Sequence, residues 1–163
     1  MSPVRLDTQD RGTRWDSMVG FVAVGFCCII AGGLVAAVTA PTGFLAGSWV
    51  AAYLVLVAGV AQIGLGAGQS LLAVRAAGPP MVVSELFAWN AGSAAVITGT
   101  LIGSALVVGV GGLGLAVALG LFLYAVRRSR PGLRWQLMLY RALAAVLAVS
   151  IPVGLFLSVL RHR

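Results

Sequence analysis

Long apolar runs, separated by short polar or proline- and glycine-containing stretches, are the main pattern of this sequence. Apolar residues predominate from position 18 to position 160, and a helix that crosses a bilayer needs about 20 of them in succession. The longest run, 81–126, contains no arginine and is long enough for two crossings. The pattern predicts an all-α integral membrane bundle of five transmembrane helices, at about 18–40, 48–74, 81–106, 108–126 and 135–160.

The predicted breaks fall at residues that interrupt helices. Proline cannot continue a helix, which places breaks at Pro41 and at the proline pair 79–80. Within 81–126 the break is expected at the glycine cluster 108–112. Residues 109–114 also match the G-x-G-x-x-G spacing of a dinucleotide loop, which needs an acidic residue further on to bind the ribose. No acidic residue follows Glu85, so we interpret the cluster as the turn between the third and fourth helices.

Composition places the chain in the membrane class. Hydrophobic residues make up 60% of it and charged residues 9%, and the mean hydropathy is +1.03. A soluble domain has roughly 25% charged residues, so too little polar surface is available for a water-soluble globule. Lysine is absent while Ala, Gly, Val, Leu and Arg abound. This bias is typical of GC-rich coding sequence, and we expect a bacterial plasma membrane.

The arginines predict the orientation of the bundle. Net charge is +7, and the arginines beyond the polar N-terminal arm at 1–17 stand mainly at the ends of apolar segments, as in membrane proteins rather than nucleic-acid-binding ones. With the N-terminus inside, the cytoplasmic face collects most of them: Arg5, Arg11, Arg14, Arg75, Arg127, Arg128, Arg130, Arg134 and Arg141. Only Arg161 and Arg163, in the basic tail at 161–163, lie outside. Because cytoplasmic loops are enriched in arginine, we predict a cytoplasmic N-terminus and an external C-terminus.

Polar residues and glycines share one side of the second predicted helix. Gln62 and Gln69 are seven positions apart, which returns them to nearly the same side, and Gly66 lies between them. In lipid, small residues let helices approach closely and amides form hydrogen bonds across the contact. The spacing therefore favours a helix–helix contact face. The alternative is a polar path in which the two amides line a passage for a small solute.

The third predicted helix repeats this pattern and adds a carboxylate. Asn90 and Gly99 lie on or near a stripe of glycines, and Glu85 is the only acidic residue beyond position 16. An ionisable group in a span is a functional hypothesis by default. Three interpretations stay open: Glu85 lies at the cytoplasmic interface, it forms an ion pair with Arg141, or it handles a proton or substrate.

The absence of histidine from the spans limits the kinds of function that the chain can have. The one histidine is His162, in the tail, so the sequence predicts no haem or histidine-bound metal, no cofactor and no catalytic pair within the spans. We expect a non-catalytic accessory or assembly subunit that docks through its glycine-rich faces on a membrane-protein partner or on copies of itself. One alternative is a small oligomeric channel or transporter lined by the polar residues of the second and third helices. The other is a binder of lipid or another hydrophobic ligand between these helices.

Overall fold

The fold is all-α, as the sequence predicts. The computed structural model describes the backbone of residues 3–74, 77–129 and 132–161, and within these ranges the side chains from residue 14 to residue 150. Its five helical segments are α1 (Pro3–Thr42), α2 (Gly47–Leu72), α3 (Pro79–Leu101), α4 (Ala105–Ala125) and α5 (Arg134–Arg161). Among the described residues, four segments are long and apolar enough to cross a membrane: Arg14–Thr42 within α1, and the whole of α2, α3 and α4.

The start of the first helix and the turn between the third and fourth helices differ most from the predicted positions. α1 begins at Pro3, so the polar arm continues the first helix, whereas we expected a separate segment. The turn between α3 and α4 lies at 102–104, earlier than the glycine cluster 108–112. Gly103 there has φ of +69°, and the Ser104 hydroxyl accepts a hydrogen bond from the Val107 N–H at 3.4 Å as the N-cap of α4. Since a left-handed glycine ends helices and a serine begins them, these two residues outweigh the cluster, which lies inside α4.

A π-helical section interrupts α2 at Leu54–Ala61. Its wider turns move carbonyl groups off the regular register, a feature that occurs often at functional sites. The indole Nε1 of Trp89 on α3 donates a hydrogen bond of 3.2 Å to the carbonyl of Val57 in this section. The irregular part of α2 is thereby tied to α3.

Glycines set the closest helix contacts. At the α1–α2 contact, a Cβ placed on Gly25 would lie 3.0 Å from the Gly59 carbonyl, and one placed on Gly59 would lie 3.0 Å from the Gly25 carbonyl. At the α3–α4 contact, a Cβ on Gly111 would lie 2.7 Å from both the Gly92 carbonyl and the Val96 nitrogen. These helices therefore approach backbone to backbone, the mode of packing that small residues permit in lipid.

Aromatic rings fill the centre of the bundle. Phe21 of α1, Trp89 of α3 and Phe122 of α4 are all buried. The Phe122 ring centroid lies 5.4 Å from that of Phe21 and 6.0 Å from that of Trp89, in tilted and edge-to-face arrangements. Such arrangements are the favoured geometries of aromatic pairs. α5 joins this core through Tyr140, whose hydroxyl donates to the Phe122 carbonyl at 3.3 Å.

Arg14 closes the end of α2. Its guanidinium donates to the carbonyls of Ser70 and Ala73, both at 2.9 Å, and to that of Val74 at 2.7 Å. The last carbonyls of a helix have no partner within the helix and carry partial negative charge. Arg14 supplies both the donors and the positive charge, and so fixes the start of the first span beside the end of the second.

Candidate functional site

Two hydrogen-bonded side-chain pairs join α2 to α3 inside the bundle. Gln69 Nε2 donates to Glu85 Oε2 at 2.7 Å, and Asn90 Nδ2 donates to Gln62 Oε1 at 2.8 Å. The two helices run in opposite directions, so residues later in α2 pair with residues earlier in α3. The structure thus brings together all four polar residues that the sequence singles out on these helices.

α1 closes this arrangement from the side. Gln62 Nε2 donates to the Phe21 carbonyl at 3.4 Å, and Cys28 Sγ lies 3.8 Å from Asn90 Oδ1 as a weak donor. Asn90 Nδ2 also donates to the Leu86 carbonyl of its own helix at 2.8 Å. Both amide N–H groups of Asn90 therefore have acceptors, and its orientation is fixed.

The polar positions continue toward the opposite end of both helices. The Tyr53 hydroxyl on α2 lies near the Ser93 hydroxyl on α3, although the two atoms do not reach hydrogen-bonding geometry. We call the full set the polar column: Tyr53, Gln62, Gln69, Glu85, Asn90 and Ser93. Along α3 it covers eight residue steps of about 1.5 Å each, from Glu85 to Ser93, or about 12 Å, and the Tyr53 hydroxyl lies at the Ser93 end of this length. The hydrocarbon core of a bilayer is about 30 Å thick, so the column extends through less than half of that depth.

Several atoms of the column have unused hydrogen-bonding capacity. Within the described residues, four buried oxygen atoms have no hydrogen-bond partner: Tyr53 Oη, Gln69 Oε1, Glu85 Oε1 and Ser93 Oγ. A buried polar atom without a partner costs about 1–3 kcal/mol. All four atoms belong to the polar column, so this cost is concentrated there.

The surroundings of Glu85 differ from those expected at an interface. Its side chain is 0% exposed, which places it inside the bundle rather than in contact with interfacial water. The structure does not bring Arg141 to it: Arg141 is exposed on α5, and in the described part of the chain Gln69 is the hydrogen-bond partner of the carboxyl group. The interpretation of Glu85 as half of an ion pair with Arg141 therefore has no structural support.

The polar column is closed in this structure. Leu65 and Trp89, which flank it, are 0% and 1% exposed. Gly66 lies directly against the Phe21 side chain of α1, so no space remains for a side chain at that position. The contact between α2 and α3 that we considered for a hydrophobic ligand is filled by these residues and by the polar pairs.

The predicted glycine faces are occupied by the chain itself. Gly66 packs against α1, and a Cβ on Gly99 would lie 2.6 Å from the Val108 nitrogen of α4. These positions hold the bundle together and are not free to receive a partner. Sequence reasoning missed Tyr53 as a column member, because a single tyrosine in an apolar run carries no periodic signal. It also missed Arg14, whose contact with α2 depends on how the helices cross.

The chain has no detected relatives: comparison with protein-family models, with curated proteins and with solved structures finds no match. Nor does the described part of the chain hold a group of three or more His, Cys, Asp or Glu side chains that could bind a metal ion. The lack of a metal or cofactor stays a prediction from the sequence. Any function must therefore be argued from the polar column and the surfaces around it.

Proposed function

We propose that this chain is a non-catalytic, multi-pass membrane protein that passes a small polar solute through the bilayer along the polar column. The observation that supports the proposal is the column itself, with six polar side chains buried between α2 and α3 and four unpartnered oxygen atoms. Polar groups inside spans commonly mark solute and ion pathways. Because the column is closely packed, this structure represents the resting state, and the column opens when a solute passes.

The four unpartnered oxygen atoms indicate which hydrogen-bonding groups the solute carries. Gln69 Oε1 is always an acceptor, and Glu85 Oε1 is an acceptor only while the carboxyl group is ionised. The hydroxyls of Tyr53 and Ser93 can accept or donate. A solute that donates hydrogen bonds satisfies all four atoms. When the carboxyl group is ionised, its negative charge disfavours anions. We therefore expect a small solute that is rich in N–H or O–H groups and is neutral or singly positive.

Flux measurements on proteoliposomes test this proposal. The purified chain is reconstituted, and uptake of methylammonium, glycerol and water is compared with that of protein-free liposomes. We expect one of these probes to enter faster with the wild type. Glu85→Gln keeps the shape of the side chain but removes its charge, and Gln62→Ala removes the partner of Asn90. Both variants should lose the flux.

Ser84→Ala is the matched control. Ser84 is next to Glu85, but it is exposed and bonds only to the Pro80 carbonyl of its own helix. It should retain wild-type flux. Equal flux in the wild type, Glu85→Gln and Gln62→Ala would refute the column as a path. The proposal would also be refuted if the wild type took up none of the three probes faster than protein-free liposomes do. Far-UV circular dichroism of each variant separates lost flux from lost folding.

The five-span arrangement, with a cytoplasmic N-terminus in a bacterial plasma membrane, belongs to the same proposal. If the four candidate spans cross the bilayer in turn, the α1–α2 and α3–α4 turns lie on one side of the membrane and the α2–α3 connection lies on the other. Cysteine labelling tests the orientation after both native cysteines are replaced by serine. Leu45→Cys, in the α1–α2 turn, should react with an impermeant maleimide from outside intact cells. Ala77→Cys should react only after the membrane is permeabilised.

An assembly-subunit role is a second candidate, and one surface favours it. On the outward side of α4, a Cβ at Gly109 or Gly120 would meet nothing within 4 Å, and the neighbouring Leu113 is 67% exposed. A second helix could approach closely there. If a partner or a second copy packs there, Gly109→Leu should dissociate it from this chain during mild-detergent extraction. Gly66→Leu and Gly99→Leu cannot test this role, because both positions pack inside the chain.

A further inference from the structure

A cavity lies at the end of the bundle where α2 ends, α3 begins and α4 ends. Its volume is about 270 Å³, and its lining includes Val74, Gly78, Met81, Tyr124, Arg127 and Arg128. These residues stand at the ends of three candidate spans, Gly47–Leu72, Pro79–Leu101 and Ala105–Ala125. The cavity therefore opens at the depth where a bilayer changes from acyl chains to headgroups.

Two arginines on its lining are held in defined positions. The Arg127 guanidinium carbon lies 4.0 Å from the centroid of the Tyr124 ring, an arrangement in which the ring face attracts the cation. The backbone of Arg128 is tied to the end of α2, since its carbonyl accepts a hydrogen bond of 3.0 Å from the Val74 N–H. Both arginine side chains are exposed, and no acidic residue is among those that line the cavity.

The rest of the lining is apolar. Val74, Ala77, Met81 and Ala125 supply apolar surface to it. Ligand pockets for drug-sized molecules have volumes of about 300–1,000 Å³, so this cavity suits one small polar group with an apolar extension. A lining that combines two arginines with apolar side chains matches the end of a phospholipid, where the phosphate meets the acyl region.

We propose that this cavity binds a phosphate group, carried by an anionic phospholipid of the surrounding leaflet or present as a small free phosphate anion. Arginine guanidinium groups match phosphate oxygens in geometry and charge, and basic pockets between spans commonly bind lipid headgroups. The site is independent of the polar column. Its occupation ties the α2–α3 connection to the end of α4.

Lipid binding to the purified full chain tests the proposal. Native mass spectrometry counts bound phosphatidylglycerol and bound phosphatidylcholine across a concentration series, and a separate titration uses inorganic phosphate alone. We expect phosphatidylglycerol to bind more tightly than phosphatidylcholine. Arg127→Gln and Arg128→Gln should each weaken that binding about fivefold, the effect of about 1 kcal/mol per arginine near a membrane surface. Saturation by inorganic phosphate, with the same losses in the two variants, would identify the free anion as the ligand.

Arg134→Gln is the matched control, because Arg134 is an exposed arginine at the start of α5, after the connection from α4, and does not line the cavity. It should bind both probes as the wild type does. Unchanged binding in Arg127→Gln and Arg128→Gln, or an equal loss in Arg134→Gln, would overturn the proposal, because the attraction would then come from the basic face as a whole. Thermal unfolding in the absence of added ligand verifies that the variants fold equally well.

Discussion

The contact between α3 and α4 gives the sharpest test of this fold, through substitution of Gly111 by alanine. A Cβ at this position would lie 2.7 Å from both the Gly92 carbonyl and the Val96 nitrogen. These are backbone atoms, so no side-chain rotation can relieve the clash and the two helices must separate. Overpacking of this kind costs about 1–3 kcal/mol. Alanine also has a better helix propensity than glycine by about 0.5–1 kcal/mol, which offsets part of this loss.

Gly109→Ala separates these two effects. Gly109 stands two positions earlier in α4, and a Cβ there would meet nothing within 4 Å. The propensity gain is common to both variants, so the difference between them reports the packing cost, about 1–3 kcal/mol. Unfolding by sodium dodecyl sulfate in mixed micelles, followed by circular dichroism, measures both free energies of unfolding. Equal stability of Gly111→Ala and Gly109→Ala would show that α3 and α4 do not approach at these glycines.

Three further substitutions test other contacts. Arg14→Lys keeps the positive charge but loses the planar donors that reach three carbonyls in and just after the last turn of α2, so we expect a loss of about 1–3 kcal/mol in the same unfolding assay. Wild-type stability would contradict the role of Arg14 as a helix cap. Trp89→Phe removes the hydrogen-bond donor to the Val57 carbonyl. We expect this loss to lower the free energy of unfolding by about 1 kcal/mol and to speed amide hydrogen exchange in the π-helical section. Unchanged exchange would show that this hydrogen bond does not hold the section. Glu85→Gln should unfold at the wild-type detergent concentration or above it, because an amide can still pair with Gln69; a large loss would mean that the charge stabilises the bundle.

The helices could be placed from the sequence because their signal is compositional. A run of apolar residues long enough for a bilayer needs no knowledge of its neighbours, and four of the predicted spans coincide with helices that meet this criterion. The turn between α3 and α4 lies earlier than predicted, because clustered glycines alone do not end a helix. In lipid such glycines also bring helices together, and the actual break depends on Gly103 and Ser104.

Which polar residues meet could be predicted only in part. The spacing of Gln62 and Gln69 put them on one side of α2, and the structure shows that side facing α3. The partner of Glu85 could not be derived, because it depends on the crossing of α2 and α3 rather than on depth in the membrane. The predicted ion pair between Glu85 and Arg141 requires only that both residues lie at a similar depth in the membrane. In the structure Arg141 is exposed. The π-helical section has no residue signature that would predict it, and its Val57 carbonyl accepts a hydrogen bond from Trp89 of α3.

Helix contact and polar path are competing interpretations of α2, and one face of that helix carries both the close contact with Phe21 and the polar side chain of Gln62. Because Gly66 has no side chain, the Phe21 side chain lies directly against α2, and this approach brings the Phe21 carbonyl within 3.4 Å of Gln62 Nε2. Gln62 is thereby held with its oxygen toward Asn90. Close packing alone does not require the buried carboxyl group or the four unpartnered oxygen atoms, because an unpartnered buried polar atom costs about 1–3 kcal/mol. The proposed passage of a solute would give these atoms a role.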